Sequence, residues 1–229
     1  MGDLLVKDKD IVVPGEELAI GMDYLPAGGV YRLNDKIYAS QVGLVSISGR
    51  LIKLIPLSGR YIPKKGDLVI GKVVDTGFSG WRIDIDWAYE ANLSMKDATS
   101  EFIERGSDLT QYYDYGDIIS VQIIHVSGSK IIDLTMKGPG LRKLKGGKII
   151  EVNPTKVPRI IGKQGSMIQM IKEKTNCKII VGQNGKVWIS GLDPESELKA
   201  TQCIYKIEAE SHLDGLTDRI KDFLEGKNV

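Results

Sequence analysis

Apolar and polar residues alternate along two segments near the middle of the chain. Every second position is apolar in both, at Ile119, Val121 and Ile123 and again at Ile132, Leu134 and Met136. A period of two is typical of strands with one buried face. Shorter apolar runs precede them at Leu68–Val74, Trp81–Ile85 and Ala91–Met95. Five short strands predict a small OB-type barrel over residues 63–137, with a short helix at Asp97–Arg105 between its third and fourth strands.

The segment before residue 63 also has the pattern of short strands. We predict them at Lys36–Val42, Leu44–Ile47 and Leu51–Ile55, with a turn at Ser48-Gly49. Two stretches rich in Gly and Pro, Pro56–Gly66 and Lys137–Lys148, separate this segment from the barrel and the barrel from the C-terminal part of the chain. Residues 1–62 therefore form a small β domain, whose expected purpose is packing on a partner or on the middle module.

The pattern changes to mixed strands and helices in the third module, residues 146–229. Apolar residues at helical spacing predict a helix over Ser166–Thr175, and Asp193-Pro194 predicts the start of another. Asn184-Gly185 indicates a hairpin. The complete set is a strand at Lys148–Val152, a helical turn at Pro158–Ile161, the helix after it, strands at Cys177–Val181 and Lys186–Ser190, and the final helix.

The first two helices are joined by Gly162-Lys163-Gln164-Gly165. Two glycines at this spacing leave backbone N–H groups at a helix N-terminus uncovered by side chains, so a sugar-phosphate backbone can approach. Lys163 adds a point charge, and Arg159 adds a fork-shaped donor. A Gly-x-x-Gly sequence alone is common in turns; its position between two helices of a basic module favours nucleic-acid binding.

Charge is divided unevenly along the chain although the net charge is +1. Residues 138–191 carry 11 basic and 2 acidic side chains, whereas residues 64–137 carry 8 basic and 12 acidic ones. An asymmetry of this size suggests a polyanionic partner, and the alternative is an ordinary solvated surface.

Candidate catalytic groups are sparse. Cys177 and Cys203 lack the close partners that a zinc site needs, and the only histidines, His125 and His212, lie far apart. Asp84 and Asp86 could hold Mg²⁺ as the carboxylates of a nuclease do, but a pair on an exposed strand is common. No phosphate-binding loop motif occurs. We therefore expect no enzyme, no metal and no cofactor.

No apolar run reaches the roughly 18 residues of a membrane span, so we expect a cytoplasmic protein without a membrane partner.

These motifs carry a resemblance to known domains. Ile160-Ile161-Gly162-Lys163-Gln164-Gly165-Ser166-Met167-Ile168 resembles a KH domain of type I order, and the middle module resembles the S1 RNA-binding domain. With Val12-Val13-Pro14-Gly15 in the first module and Val157-Pro158 before the glycine motif, the whole chain is similar to the archaeal exosome's RNA-binding cap subunit, the family of ribosomal RNA processing protein four.

The resemblance implies a multidomain fold: a small N-terminal β domain, a five-stranded OB-type S1 barrel and an α/β KH domain. It implies a non-catalytic cap that recruits single-stranded RNA, preferably adenine-rich, and guides its 3′ end into a phosphorolytic ring, with three caps on a hexameric ring. The alternatives are a stand-alone translation- or ribosome-associated factor and a nuclease that uses Asp84 and Asp86.

The residues expected to contact RNA lie in both RNA-binding modules. In the KH module they are Arg159, Ile160, Ile161, Gly162, Lys163, Gln164, Gly165, Ser166 and Lys172. In the S1 module Phe78 and Trp81 occupy the region where rings stack on bases, and Lys72, Arg82 and Lys130 are available for phosphates. Core packing or subunit contact is an equal alternative for Phe78 and Trp81. Many S1 domains have a histidine near the end of the third strand, but the corresponding stretch here, Ala91–Met95, has none.

Overall fold

The computed structural model describes residues 2–104, 106–211, 213 and 215–225, and it divides into two compact units, Met1–Gly59 and Arg60–Val229. Eight short strands form the first unit: β1 (Asp3–Leu4), β2 (Ile11–Val12), β3 (Glu17–Ile20), β4 (Leu25–Pro26), β5 (Val30–Leu33), β6 (Lys36–Ala39), β7 (Gly43–Ser48) and β8 (Leu51–Pro56). They make two four-stranded sheets, in the orders β1-β3-β6-β5 and β2-β7-β8-β4. The three predicted strands correspond to β6, β7 and β8, and the five before them were not predicted.

The second unit begins with the predicted barrel. Its strands are β9 (Leu68–Thr76), β10 (Gly80–Asp84), β11 (Ala91–Ser94), β12 (Ile118–Val126) and β13 (Ile132–Thr135). The order β13-β11-β10-β9-β12 closes because β12 also pairs with β13. A sixth strand, β14 (Arg142–Leu144), pairs with β12 inside the stretch expected to be a linker. The five-stranded OB-type barrel is confirmed.

The helix predicted at Asp97–Arg105 is wrong over most of its length. The helix α1 (Met95–Ala98) has four residues, and Thr99 after it is extended. The carbonyl of Asp97 accepts a hydrogen bond from Met136 N–H at 2.7 Å, and the carbonyl of Ala98 accepts one from the Tyr113 hydroxyl at 3.2 Å. The barrel thus uses the carbonyl groups that would have continued the helix. Arg105 lies outside the described residues.

The KH module has the predicted order. Its elements are β15 (Lys148–Glu151), α2 (Val157–Ile161), α3 (Ser166–Thr175), β16 (Lys178–Val181), β17 (Lys186–Ser190) and α4 (Pro194–Glu210), followed by an additional helix, α5 (Leu216–Leu224). The sheet order is β15-β17-β16, and the helices cover one of its faces. Asp193 caps α4 as expected, since its carboxylate accepts from Ser196 N–H. No helix in the described ranges is long and apolar enough to cross a bilayer.

The other face of the KH sheet packs on the barrel. Trp188, Ile70 and Leu144 are buried together there, and the Trp188 indole N–H donates to the Gly146 carbonyl at 2.8 Å. The hairpin turn between β16 and β17 completes this junction. Asn184, which is 2% exposed, donates through Nδ2 to the carbonyls of Ile70 (2.8 Å) and Ile85 (3.0 Å).

The start of β9 is free to receive this turn because β10 pairs with β9 only from Lys72 onward. Ile70 N–H donates to Asn184 Oδ1 at 3.3 Å, and the Gln183 N–H donates to the Leu68 carbonyl at 2.7 Å. The turn thus satisfies backbone groups that would otherwise lie unpaired at a barrel edge. The S1 barrel and the KH module therefore form one unit.

Candidate nucleic-acid interface

The KH surface is organised around the glycine loop that joins α2 to α3. Gly162 has φ 75° and ψ 177°, and Gly165 has φ 81°. A Cβ at Gly162 would lie 2.7 Å from Met167 Cβ and 2.8 Å from its backbone nitrogen, whereas a Cβ at Gly165 would meet nothing within 4 Å. Gly162 is thus required by packing and by a backbone conformation that is essentially confined to glycine. Gly165 leaves the approach to α3 open.

The N-terminus of α3 is suited to an anion. This helix has ten residues, no side chain caps its first turn, and that turn contains no acidic residue. Its first N–H groups point along the axis, and the helix dipole adds partial positive charge at the same end. A phosphate placed there would accept from these N–H groups.

Side chains around the loop divide into two classes. Arg159, Lys163, Gln164 and Ser166 are exposed or partly exposed, so they remain candidates for RNA contact. Ile160 is fully buried in the KH core and Ile161 is half-buried against it. Helix α2 turns the Ile160 side chain toward the other helices and the sheet, and the expected contact of Ile160 with RNA stays a prediction.

Lys172 lies farther along α3 and is partly buried. Burial, and then the nearby Arg142 guanidinium, hold the pKa of the Lys172 ammonium below its usual range. Arg142 comes from β14 of the barrel and lies 5.7 Å from the centre of the Trp188 ring. Two cations from different modules are thus brought together, and sequence reasoning identified Lys172 but missed Arg142. The missed residue lay in the stretch expected to be a linker.

The S1 residues are arranged differently from the expectation. Trp81 is 2% exposed, its indole N–H donates to the Tyr113 carbonyl at 2.8 Å, and its ring meets Tyr113 edge-on at 5.2 Å. Strand β10 points this ring into the barrel with Ile83, which agrees with the core-packing alternative for Trp81, and a contact of Trp81 with RNA stays a prediction. Phe78, in the loop between β9 and β10, is 100% exposed.

The three S1 cations also differ from one another. Arg82 is paired with two carboxylates, Asp75 at 2.6 Å and Glu90 at 3.5 Å. Its hydrogen bonds are the main reason that the pKa of Asp75 is held below its usual value. A phosphate that contacted Arg82 would therefore compete with these two carboxylates, and the expected contact of Arg82 with RNA stays a prediction. Lys72 is exposed above the Tyr115 ring at 5.9 Å, and Lys130 is exposed in the β12–β13 turn.

The carboxylates proposed for a metal do not share a strand face. Strand β10 ends at Asp84, and Asp86 has φ 62° and donates its N–H to Asp84 Oδ1 at 2.8 Å. Among the described residues, no group of three or more His, Cys, Asp or Glu side chains could hold a metal ion.

His125 lies two positions after the buried residue Ile123, so simple alternation along β12 would bury it too. It is exposed because a bulge after Ile123 shifts the strand register. His212 lies outside the described residues.

The fold and this surface define a class of protein, a nucleic-acid-binding protein that combines an OB-type barrel with a KH domain. Three family models match the chain: the "Exosome RNA binding protein RRP4 N-terminal domain" over residues 9–58, the "RRP4, S1 domain" over 60–125 and the KH domain over 147–206.

Relatives of known identity match along almost the whole chain. Exosome complex component Rrp4 of Methanothermus fervidus is 47% identical, and the alignment covers 96% of this chain and 97% of that one. Rrp4 of Pyrococcus furiosus is 46% identical over 99% of this chain and 87% of its own. The crystal structure of a protein assigned as an exosome complex RNA-binding protein is 35% identical, with a TM-score of 0.64 over 74% of this chain and 97% of that chain. The chain belongs to the Rrp4 family of exosome RNA-binding subunits.

Proposed function

We propose that this chain is a cytoplasmic, non-catalytic cap of the exosome that captures single-stranded RNA and guides its 3′ end into a phosphorolytic nuclease ring. Three such caps would sit on a hexameric ring, and adenine-rich RNA would be preferred. The observation that carries the RNA-capture part is the glycine loop, where an uncapped α3 N-terminus lies beside Arg159 and Lys163.

The physical argument for capture without cleavage rests on what the loop offers. Backbone N–H groups and two cations bind phosphates without reading the base sequence. They also provide neither a nucleophile nor a general base, so they do not break a bond in the RNA. A cap of this kind raises the local concentration of RNA at a ring that performs the chemistry. Capture through phosphates would be sequence-tolerant, so an adenine preference would come from contacts with bases.

Native mass spectrometry of the tagged protein from its own cells, with RNA decay measured in the same eluate, tests this proposal. We expect a nine-subunit particle that degrades RNA only when inorganic phosphate is supplied. A lone 25.2 kDa chain, or one bound to ribosomes and inert toward RNA, would contradict the exosome assignment and favour a ribosome-associated factor.

The contribution of the glycine loop is tested within that particle by Gly165→Asp, because Gly165 has open space around it. We expect weaker RNA capture with unchanged assembly, since the new carboxylate repels phosphate at the α3 N-terminus. Unchanged RNA affinity in this variant would move the binding site away from the loop.

A further inference from the structure

The turn between β16 and β17 contains a chemically reactive pair of residues. Asn184-Gly185 is the one Asn-Gly pair in the sequence. In such a pair the backbone nitrogen of the glycine can attack the side-chain carbonyl carbon of the asparagine, because glycine has no side chain that shields its own N–H group. The pair therefore marks a position where the chain can modify itself without an enzyme.

The folded junction between the S1 barrel and the KH module blocks this attack. The Gly185 N–H donates to the Gly182 carbonyl at 3.0 Å, so the attacking nitrogen is engaged. The Asn184 side chain is held at both ends, since its Nδ2 donates to the carbonyls of Ile70 and Ile85. Its Oδ1 accepts from the Ile70 N–H. Asn184 is only 2% exposed, so the junction also keeps water away from it.

This protection depends on contact between the two modules. Asn184 belongs to the KH module, whereas Ile70 lies in β9 of the barrel and Ile85 directly follows β10. The turn itself is also bonded within the KH module, because the Gly182 N–H donates to the Lys186 carbonyl at 2.8 Å. Opening of the junction would thus release the Asn184 side chain to solvent even if the turn persisted.

The products of the attack do not fit the closed junction. An aspartate at position 184 has no N–H group, so its carboxylate would face the carbonyl oxygens of Ile70 and Ile85 without a donor for either. A buried charge that lacks hydrogen-bond partners is strongly unfavourable. An isoaspartate adds a carbon to the main chain inside the turn and would disturb the pairing of β16 with β17. Either product would keep the two modules from docking again.

We propose that Asn184 is a site of spontaneous deamidation, which is reached when the S1 barrel and the KH module separate and which makes that separation permanent. The Gly185 nitrogen loses its proton to solvent and bonds to Asn184 Cγ, while the bond from Cγ to Nδ2 breaks and Nδ2 takes up a proton and leaves as ammonia. Water then opens the cyclic imide to an aspartate or an isoaspartate. The net reaction consumes water and releases ammonia, and it does not depend on RNA capture.

Peptide mass spectrometry of the purified full chain, incubated at mildly alkaline pH, measures the conversion of Asn184. Leu144→Ala opens the junction, because Leu144 is buried there with Ile70 and Trp188. We expect conversion in this variant to be faster by about tenfold or more, because losing a buried leucine contact raises the population of the open junction and modification follows that population. Leu54→Ala is the matched control, since Leu54 is buried in the core of the first unit, and it should leave the rate unchanged.

A second measurement keeps the test decisive if Leu144→Ala does not fold. The unmodified chain is incubated with and without denaturant, and Asn184 should convert much faster when the chain is unfolded. Converted chains are then isolated by ion exchange, because they carry an additional negative charge, and refolded. We expect them to unfold at a lower temperature than the unmodified chain, and Asn184→Asp should behave as they do.

Two results would overturn the inference. Equal conversion rates in the native chain and in denaturant would show that the junction does not protect Asn184. Converted chains that refold and unfold at the temperature of the unmodified chain would show that the modification does not keep the modules apart.

Discussion

The KH loop and the β9–β10 end of the S1 barrel expose different kinds of group to a possible RNA strand. At the KH loop the fold removes side chains, so that Gly165 exposes an uncapped helix N-terminus beside Lys163 and Arg159. At the barrel end the fold presents side chains, with Phe78 and Phe102 in water and the best-placed arginine, Arg82, already paired. Under the proposed function, the first surface would attract phosphates and the second would offer exposed rings to bases. An RNA strand that contacted both surfaces would gain affinity at the barrel end as well as at the loop. The barrel end would add this affinity without the repulsion between cations that a wholly basic surface would create.

The junction between the modules is where the largest effect is expected, since both surfaces belong to one unit only through it. Replacing Asn184 by Ala would leave the carbonyls of Ile70 and Ile85 and the N–H of Ile70 without their partner. We expect destabilisation by about 1–3 kcal/mol for each buried group left unsatisfied. Calorimetry should show the single unfolding transition of the S1–KH unit splitting or moving to lower temperature.

The matched control is Gln183→Ala, because Gln183 contacts the barrel through its backbone N–H, which alanine retains. Equal destabilisation by both substitutions would mean that the Asn184 side chain does not hold the junction. RNA affinity measured on the Asn184→Ala chain would then show whether the two surfaces need a fixed separation.

The two glycines of the loop give the next largest effect. Gly162→Ala places a Cβ against Met167 in a backbone conformation that costs about 1–3 kcal/mol for other residues, so it should lower the unfolding temperature by about 2–4 °C per kcal/mol. Gly165→Ala has no such overlap and should cost less, since only its positive φ is unfavourable. Thermal unfolding compares the two directly. A larger loss at Gly165 would contradict the assignment of Gly162 to packing and Gly165 to access.

A smaller effect is expected at the paired arginine of the barrel. Arg82→Ala should change RNA affinity less than about fivefold, because an exposed pair contributes about 1 kcal/mol or less and this guanidinium is already occupied. Asp75→Asn together with Glu90→Gln should strengthen RNA binding, since it frees that charge. Fluorescence anisotropy with labelled RNA measures both. A strong loss in Arg82→Ala would show that RNA displaces the two carboxylates.

The smallest expected signal is a change in the pKa of Lys172. Burial and Arg142 disfavour its charged form in the free protein. A phosphate close to both cations would favour the ammonium, so saturating RNA should raise the pKa of Lys172. Titration of ¹³Cε-labelled lysines by NMR, with and without RNA, detects this shift. A pKa that stays unchanged would place the bound strand away from Lys172 and Arg142.

Periodic patterns predicted the fold well where structure depends on near neighbours. The barrel strands and the KH order result from alternation, helical spacing and caps such as Asp193. Trp81 shares parity with Ile83 along β10, and its burial agrees with the core-packing alternative that the sequence left equal to stacking. The helix predicted at Asp97–Arg105 was wrong because the barrel uses its backbone carbonyl groups as hydrogen-bond acceptors.

The rest of the site depends on contacts between distant segments. The pairing of Arg82 with Asp75 requires the β9–β10 register, and the meeting of Arg142 with Lys172 requires the junction of two modules. Phe102 fell inside the predicted helix, where an apolar residue is expected to be buried. The Asn184-Gly185 pair predicted a hairpin turn, because a turn depends only on neighbouring residues. It did not indicate that the Asn184 side chain binds backbone carbonyls of the barrel.

The salt dependence of RNA affinity tests most directly whether the glycine loop attracts phosphates while the exposed rings at the barrel end stack on bases. Lys163→Ala should make the slope of log affinity against log salt shallower by about 0.7, because one phosphate contact on a single strand is lost. Phe102→Leu should weaken binding equally at every salt concentration and leave the slope unchanged. Parallel lines for Lys163→Ala, or a changed slope for Phe102→Leu, would contradict the division of labour between the two surfaces.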